Sequence, residues 1–490
     1  METKPRLALL VAAILLATLC FTACLNVSST KGAFTNFITR KGDRLMDGST
    51  PFRFVGAEAF DLHYMYDNLA TQWKLPDPWE QEDGFKSIQQ MGGTANRLYA
   101  LAVRKSDESP SIIRHVTGPG TFDETAFRAL DKAVQLAEQY NVRLIISLVD
   151  GRNHWGGPAA YAAFRGKPES AFWTDAQVKT DFKATISFLL NRTNFYTGVP
   201  YKDNKAIFAW QLGNEMTSGN PTTTYAWMSE MAAYIKNGDS NHLVCSGHYV
   251  LREEIPTSYL TDANIDLIDA HYYGYHGYAS LLAKLNEHVA ITAGHRPMIV
   301  GEFGMDTTAA FTNLLDGIIA NPNVAGGLLW NLRLHTSVGG YFRKDGQTVA
   351  GVLYRGYRWP GYQTSGGVWD ERNALAVLRT KAYQIRGIPV SSVPVPATPL
   401  LFTPASASMI TWRGSTGAST YSVERATSPS GPWTEIASDV TDDRDEGSPL
   451  YADLSGTNGK NYFYRVKARN GTGTSSSSNV IGPIVNRTTN

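Results

Sequence analysis

Between residues 50 and 389, short continuous apolar runs alternate with longer stretches in which apolar residues return every three or four positions. The runs fall at 52–57, 94–99, 143–149, 206–212, 243–246, 267–271, 298–302 and 327–330. Runs this short, without strict alternation, predict strands covered on both faces, as in a parallel sheet. The intervening stretches predict helices at 122–140, 175–190, 224–236, 279–293, 311–320 and 373–386, with a weak one at 257–263. In the first of these, Phe127, Leu130, Ala133, Val134, Ala137 and Tyr140 share one helix face. Eight strands joined by crossover helices predict an α/β fold, a (β/α)8 TIM barrel over residues 36–389. No glycine-rich phosphate fingerprint follows the first run, which argues against a nucleotide-binding sheet.

The pattern changes after residue 389. Pro394, Pro396 and Pro399 stiffen a linker at 390–399. Beyond it, short runs at 409–412, 420–425, 433–436 and 462–468 are separated by Gly, Ser and Asp. They predict a small all-β sandwich over 400–490. Trp412, Tyr421, Leu454, the stretch Tyr462-Phe463-Tyr464-Arg465-Val466 and Ser478-Asn479 resemble those of a fibronectin type III domain. That resemblance places Trp412 and Tyr462 in the core of the sandwich.

At the other end, Lys4 and Arg6 precede an apolar run from Leu7 to Leu19, too short to span a bilayer comfortably. The following Phe21-Thr22-Ala23-Cys24 resembles a bacterial lipoprotein signal. Residues 1–24 are thus expected to direct export, with a lipid anchor on Cys24 and a tether at 25–35; the alternative is an ordinary cleaved signal and a secreted protein. Membrane contact is expected through that anchor alone.

Composition narrows the partners. The net charge is +1 and no basic block stands out, so nucleic acid is not an expected partner. Of three cysteines, only Cys245 lies beyond the signal region. The fold must then rest on its own core without an internal disulfide, as an expected monomer. His154, His248, His271 and His276 are scattered without ligand spacing, so no metal and no cofactor are expected.

A barrel of this kind carries its chemistry at the C-terminal ends of its strands. The polar residues found there are Arg97, Asp150, Asn214, Glu215, His248, His271, Tyr273, Glu302 and Trp330. Glu58, His154 and Trp155 are further candidates. Glu215 and Glu302 end the fourth and seventh strands, which a barrel sets on opposite sides of its mouth. Two carboxyl groups across one sugar are what glycosidic hydrolysis requires.

The stretch from Tyr201 to Glu215, ending Trp210-Gln211-Leu212-Gly213-Asn214-Glu215, resembles the fourth-strand motif of family 5 glycoside hydrolases, and most closely their endo-β-1,4-mannanases. Asn96-Arg97, the run 144–149 with Gly156-Gly157, His271-Tyr272-Tyr273, Gly301-Glu302-Phe303-Gly304 and Leu329-Trp330 are similar in the same order. The resemblance implies a retaining β-glycosidase with Glu215 as acid/base and Glu302 as nucleophile. It further implies that Arg97 and Tyr273 hold Glu302, His271 steadies Glu215, Asn214 meets the sugar 2-hydroxyl and Trp330 stacks under the sugar. His154, Trp155 and His248 are read as additional substrate contacts. Met216 departs from the family's usual Pro after the acid/base, and Asp150-Gly151-Arg152-Asn153-His154-Trp155 departs from its usual third-strand loop.

The segment 333–372 carries Tyr341, Phe342, Tyr354, Tyr357, Trp359, Tyr362 and Trp369. It is expected to be an aromatic wall of the cleft, able to close one end and make the enzyme exo-acting. The expected substrate is a polysaccharide or oligosaccharide, with mannan first. The alternatives are another family 5 β-glycosidase, acting on glucan or exo-acting on manno-oligosaccharides, and a non-catalytic glycan-binding surface lipoprotein.

Overall fold

The computed structural model describes residues 34–66, 73–249, 255–342, 347–349, 352–354, 356–362 and 370–486. The expected signal, Cys24 and most of the tether lie outside the described residues.

Eight parallel strands stand where the apolar runs predict them: β1 (Phe54–Glu58), β2 (Ala95–Leu98), β3 (Arg143–Ser147), β4 (Ile207–Gln211), β5 (Leu243–Cys245), β6 (Ile268–Tyr273), β7 (Met298–Gly304) and β8 (Val324–Trp330). They pair as two parallel sheets, β2-β3-β4-β5 and β6-β7-β8-β1. A parallel bridge between Cys245 and Leu267 joins the sheets on one side. On the other side, the Asn96 amide exchanges hydrogen bonds with the backbone of Ala59 (2.8 and 3.1 Å), and Tyr99 N donates to Phe60 O. The ring is thereby closed.

Phe54, Ile145, Ala209, Cys245, Ile299 and Leu328 pack together in the floor of the ring, with Ile38 and Leu45 of an N-terminal hairpin (Ile38–Lys41 paired with Arg44–Asp47). Leu144, Ile146 and Trp210, on the other face of β3 and β4, join the larger core shared with the helices. That alternation is the period-2 geometry of a strand buried on both faces.

The surrounding helices are α1 (Pro78–Gln90), α2 (Glu124–Tyr140), α3 (Ala176–Asn191), α4 (Pro221–Gly238), α5 (Thr257–Thr261), α6 (Leu281–Thr292), α7 (Thr308–Ala320) and α8 (Glu371–Gln384). Helix α1 has no counterpart in the apolar pattern. Its start is well marked: Asp77 accepts from Trp79 N and Glu80 N, Glu80 reciprocates to Asp77 N, and Pro78 occupies the first turn. Its buried face is mixed, however, with Phe85 and Ile88 set beside polar residues. Glu80, Gln81 and Asp83 all point inward. Gln81 donates to the carbonyls of Leu62 and Ala129, and Lys74 bonds Glu80 at 2.7 Å. With polar residues at these inward positions, Phe85 and Ile88 alone make too short a hydrophobic period to read.

After the barrel, the chain forms β9 (Leu400–Leu401), β10 (Trp412–Arg413), β11 (Thr420–Ala426), β12 (Thr434–Val440), β13 (Asn461–Asn470), β14 (Gly473–Thr474) and β15 (Ile481–Val485). β9 and β10 pair antiparallel, and β12-β11-β13 form an antiparallel sheet in which β14 and β15 both pair with β13. Trp412, Tyr421, Val423, Tyr462, Tyr464 and Val466 build a separate core.

The described part of the aromatic segment is not the wall expected of it. Tyr341, Phe342, Tyr357, Trp359 and Tyr362 are buried, and none of them lines the cleft at the barrel mouth. Tyr341, Tyr362 and Trp359 instead face α1 and the C-terminal strands: Tyr362 bonds Asp442, and Trp359 Nε1 donates to Gln90 at 2.8 Å. Short strands pair there as well, Leu332–Arg333 with Tyr357–Arg358 and Gln347–Val349 with Val352–Tyr354. Trp369 and the Tyr354 side chain lie outside the described residues.

Candidate active site

Arg97 rises from β2 into the centre of the barrel mouth and is fully buried. Its Nη1 donates to Glu302 Oε1 at 2.8 Å and to Glu58 Oε1 at 3.0 Å. Nη2 donates to Asn214 Oδ1 and Nε to Gln211 Oε1, each at 2.7 Å. One guanidinium thus ties together β1, β4 and β7. The fixed fork of donors explains why arginine suits the position better than lysine.

Glu302, within β7, receives a second hydrogen bond from the Tyr273 hydroxyl at the end of β6. Glu215 stands on the opposite side, four residues past the end of β4. Its backbone is left-handed, at φ 47°. The chain around it has no room to spare: a Cβ on Gly151 would meet Glu215 O at 2.5 Å, and one on Gly247 would meet Gly213 O at 1.8 Å. Bridges from Asp150 to Asn214 and from Met216 to His248 continue the sheet on either side of it.

His271 links the two acids. Its Nδ1 is 3.1 Å from Glu215 Oε1 and 3.5 Å from Glu302 Oε2, and its Nε2 is 3.1 Å from Asp269 Oδ2. Ligating atoms of Glu215, His271 and Glu302 all lie within 4.8 Å of one another. Such a cluster could geometrically surround a cation, but the Arg97 guanidinium bonded to Glu302 opposes one. One oxygen of Glu215 and one of Glu302 thus lie no more than 4.8 Å apart, close enough for the roughly 5–5.5 Å spacing of retaining glycosidases and short of the roughly 6.5–9.5 Å that inverting ones need for a water.

The electrostatics divide the two acids. Burial pushes Glu302 up, the charge of Glu215 adds to this, and His271 and Arg97 only partly oppose it. Burial acts on Glu215 too, but there His271, then Arg152 and Arg97, outweigh it and hold the carboxyl below its usual range. Burial would lower His271, yet Glu302 and Asp269 raise it well above the usual imidazole range. His271 is thus a cation donating to carboxylates on both sides.

The cleft is lined by Phe60, Tyr99, Arg152, His154, Trp155, Asn214, Glu215, Tyr273, Tyr275, Glu302, Met305 and Trp330, around roughly 100 Å³ of free space. Its floor is aromatic: Trp330 stacks on Phe60 with centroids 4.8 Å apart, and Trp155 meets Tyr99 edge-on at 5.0 Å. Asp150 shapes the third-strand loop by accepting from the backbone N–H groups of Arg152, His154 and Trp155. The loop brings Arg152 Nε to 3.6 Å from Glu215 Oε2.

Most of the residues expected at the site meet there: Arg97, Asn214, Glu215, His271, Tyr273, Glu302, Trp330, His154 and Trp155. His248 does not line the cleft. It is buried, with Nδ1 3.0 Å from the Tyr259 hydroxyl, because the pairing of its backbone with Met216 sets its ring among the α5 contacts. Sequence reasoning missed Asp269, Gln211, Tyr99 and Arg152. Asp269 was within reach, since it lies two residues before His271 on the same strand face.

A family model for "GH family 5 beta-mannosidase-like" proteins matches residues 35–316. The chain is 25% identical over 353 residues to mannan endo-1,4-beta-mannosidase 3 of Arabidopsis thaliana, covering 60% of this chain and 81% of that one. It is 31% identical over 221 residues to mannan endo-1,4-beta-mannosidase 2 of Oryza sativa subsp. japonica, covering 43% of this chain and 47%, about half, of the relative. Among solved structures, the endo-beta-1,4-mannanase of Thermotoga petrophila superposes with TM-score 0.55 at 19% identity, over 89% of this chain and 98% of that one. The endo-1,4-beta-mannanase of Rhizomucor miehei superposes with TM-score 0.52 at 23% identity, over 61% and 91%. At such identities these two speak for the barrel; the match over residues 35–316, more than half of the chain, speaks for the lineage. The chain belongs to the β-mannosidase-like group of glycoside hydrolase family 5.

Proposed function

We propose that this protein is a retaining endo-β-1,4-mannanase that cleaves mannan-type polysaccharide by double displacement. The observation that carries the reading is the pair of carboxylates within 4.8 Å, each held by its own partners. Glu302 is the nucleophile: Arg97 and Tyr273 hold its oxygens and, with His271, offset part of the burial that disfavours the charge it must carry to attack the anomeric carbon. Glu215 is the acid/base. Its proton is shared with His271 across the 3.1 Å hydrogen bond. With the proton on His271, Glu215 is the base of the second step; with it on Glu215, the carboxyl is the acid that protonates the departing oxygen. Asn214 turns to the sugar 2-hydroxyl, where a hydrogen bond strengthens toward the transition state. Trp330 offers an aromatic face to the C–H face of the cleaved sugar. Trp155 and the exposed His154 border the same cleft.

The sheets over 400–485, with Trp412 and Tyr462 in their core, support reading the C-terminal part as fibronectin type III-like. The motif at Ala23-Cys24 supports export and anchoring through a lipid, and metabolic labelling with a fatty acid, lost in Cys24→Ala, tests it.

The test of the activity is hydrolysis of mannan, glucomannan, cellulose, xylan and mannobiose to mannohexaose, with products resolved by size. A ladder of short manno-oligosaccharides whose new reducing ends first appear as the β-anomer is expected. Glu302→Ala should abolish it while keeping the fold. Activity on glucan alone would overturn the substrate, a first-formed α-anomer the mechanism, and full activity in Glu302→Ala the nucleophile.

A further inference from the structure

Trp330, the proposed sugar platform, is followed at once by chain committed to the C-terminal domain. Its ring stacks on Phe60, and the same Phe60 ring carries the Arg333 guanidinium at 4.8 Å from its centroid. Arg333 bonds Asp61 at 3.3 Å. Two residues on, His335 is buried between two carboxylates: Nδ1 lies 2.9 Å from Asp83 of α1, and Nε2 lies 3.0 Å from Asp442, just past β12. Asp442 also accepts from the hydroxyls of Tyr421, at 2.6 Å, and Tyr362. Arg358, whose strand pairs with Arg333, forms an ion pair with Asp443. The backbones then zip together: Tyr341 N donates to Arg444 O (2.9 Å), Glu446 N to Tyr341 O (3.0 Å) and Gly447 N to Gly339 O (2.9 Å).

We infer that the C-terminal domain is a working part of the active site, and that Asp442 is a positioning residue which, through His335, fixes the segment bearing Trp330. The inference rests on the reading of Trp330 as the floor under the cleaved sugar. A spacer domain needs no buried ion cluster on its neighbour, whereas this one sets residues 442–447 against the segment that follows the strand bearing Trp330. Removing the charge of Asp442 leaves His335 buried with one anion instead of two, a large change for a desolvated cation. The segment 332–335 loses its outer anchor, and Phe60 and Trp330 lose the support that sets their tilt. Because a platform under the reacting sugar acts most in the transition state, the loss should appear in kcat rather than KM.

The experiment compares the full chain with Asp442→Asn, Tyr421→Phe and Arg413→Met, each assayed on mannopentaose well below its own Tm. Arg413 lies over the Trp79 ring at 4.7 Å, elsewhere on the same interface. Asp442→Asn should lower kcat about tenfold with KM within twofold. Tyr421→Phe, which removes one hydrogen bond to Asp442 and the acceptor of Ser415 N, should lower kcat two- to threefold and serves if Asp442→Asn does not fold. Arg413→Met should lower Tm and leave kcat unchanged. Unchanged kcat in both Asp442→Asn and Tyr421→Phe, or an equal loss in Arg413→Met, would overturn the inference. A wild-type protein inert on mannopentaose would instead remove the reading of the site on which it stands.

Discussion

Arg152 is the cation nearest the outer oxygen of Glu215, at 3.6 Å, and its side chain is 47% exposed. Its charge favours ionised Glu215 and so works against the protonated form that the first chemical step needs. Arg152→Gln keeps a polar side chain and removes the charge. At the dielectric of water, a unit charge at that distance is worth about 1 kcal/mol, and about twice that if the cleft behaves as half water. Each 1.36 kcal/mol is about one pKa unit, so the shared proton of His271 and Glu215 should be held about one unit more tightly. The other charges facing Glu215, from Arg97, Glu302 and Asp269 beyond His271, are unchanged by the substitution, as are the hydroxyls of Tyr273 and Tyr275. The sign follows: activity on the alkaline side is lost as this proton leaves, so the alkaline limb of kcat/KM against pH should move up by about one unit. The acid limb, set by protonation of Glu302, should move far less. The assay is kcat/KM for a manno-oligosaccharide from pH 4 to 9 at low salt, with a repeat at high salt, where screening should shrink the difference. An alkaline limb that stays in place or moves down would refute the proton-sharing account.

Tyr273→Phe removes the hydroxyl that donates to Glu302. A hydrogen bond to a charged group is worth about 1.5–3 kcal/mol, so kcat should fall about 10- to 100-fold with circular dichroism unchanged. The Cys245 thiol is fully buried, and burial pushes it well above its usual range. It should resist a thiol-reactive dye in the native protein and react promptly once denatured. His335 should be visible in stability against pH. Burial lowers it, but Asp83 and Asp442 together raise it to about 10. Its contribution is fully present below the unfolded value near 6.5 and falls by about 1.4 kcal/mol per unit as pH rises toward 10. The decline measured by urea unfolding between pH 7 and 10 should flatten in His335→Asn.

The barrel was legible because its strands are apolar on both faces and its carboxyl residues sit where those runs stop. Helix α1 was not, because Glu80, Gln81 and Asp83 share its inner face with Phe85 and Ile88, and the clearest local mark is the Asp77-Pro78 start. The segment after β8 misled for a different reason. Tyr and Trp serve equally as sugar platforms and as core, and only burial separates the two uses; Tyr341 and Trp359 proved to be core. Arg152 was invisible as a functional residue because nothing local distinguishes it. It matters through its distance to Glu215, and that distance exists only once the loops after β3 and β4 meet.

The glycines beneath Glu215 decide where this enzyme can change. At Gly151 and Gly247 even a methyl group would strike a neighbouring carbonyl. The acid/base side of the cleft therefore offers few routes to a new specificity, whether by natural drift or in the laboratory. The partly exposed positions Arg152, His154 and Tyr275 border the same space without that restriction. A library meant to retrain the enzyme should randomise those three and leave the glycines fixed.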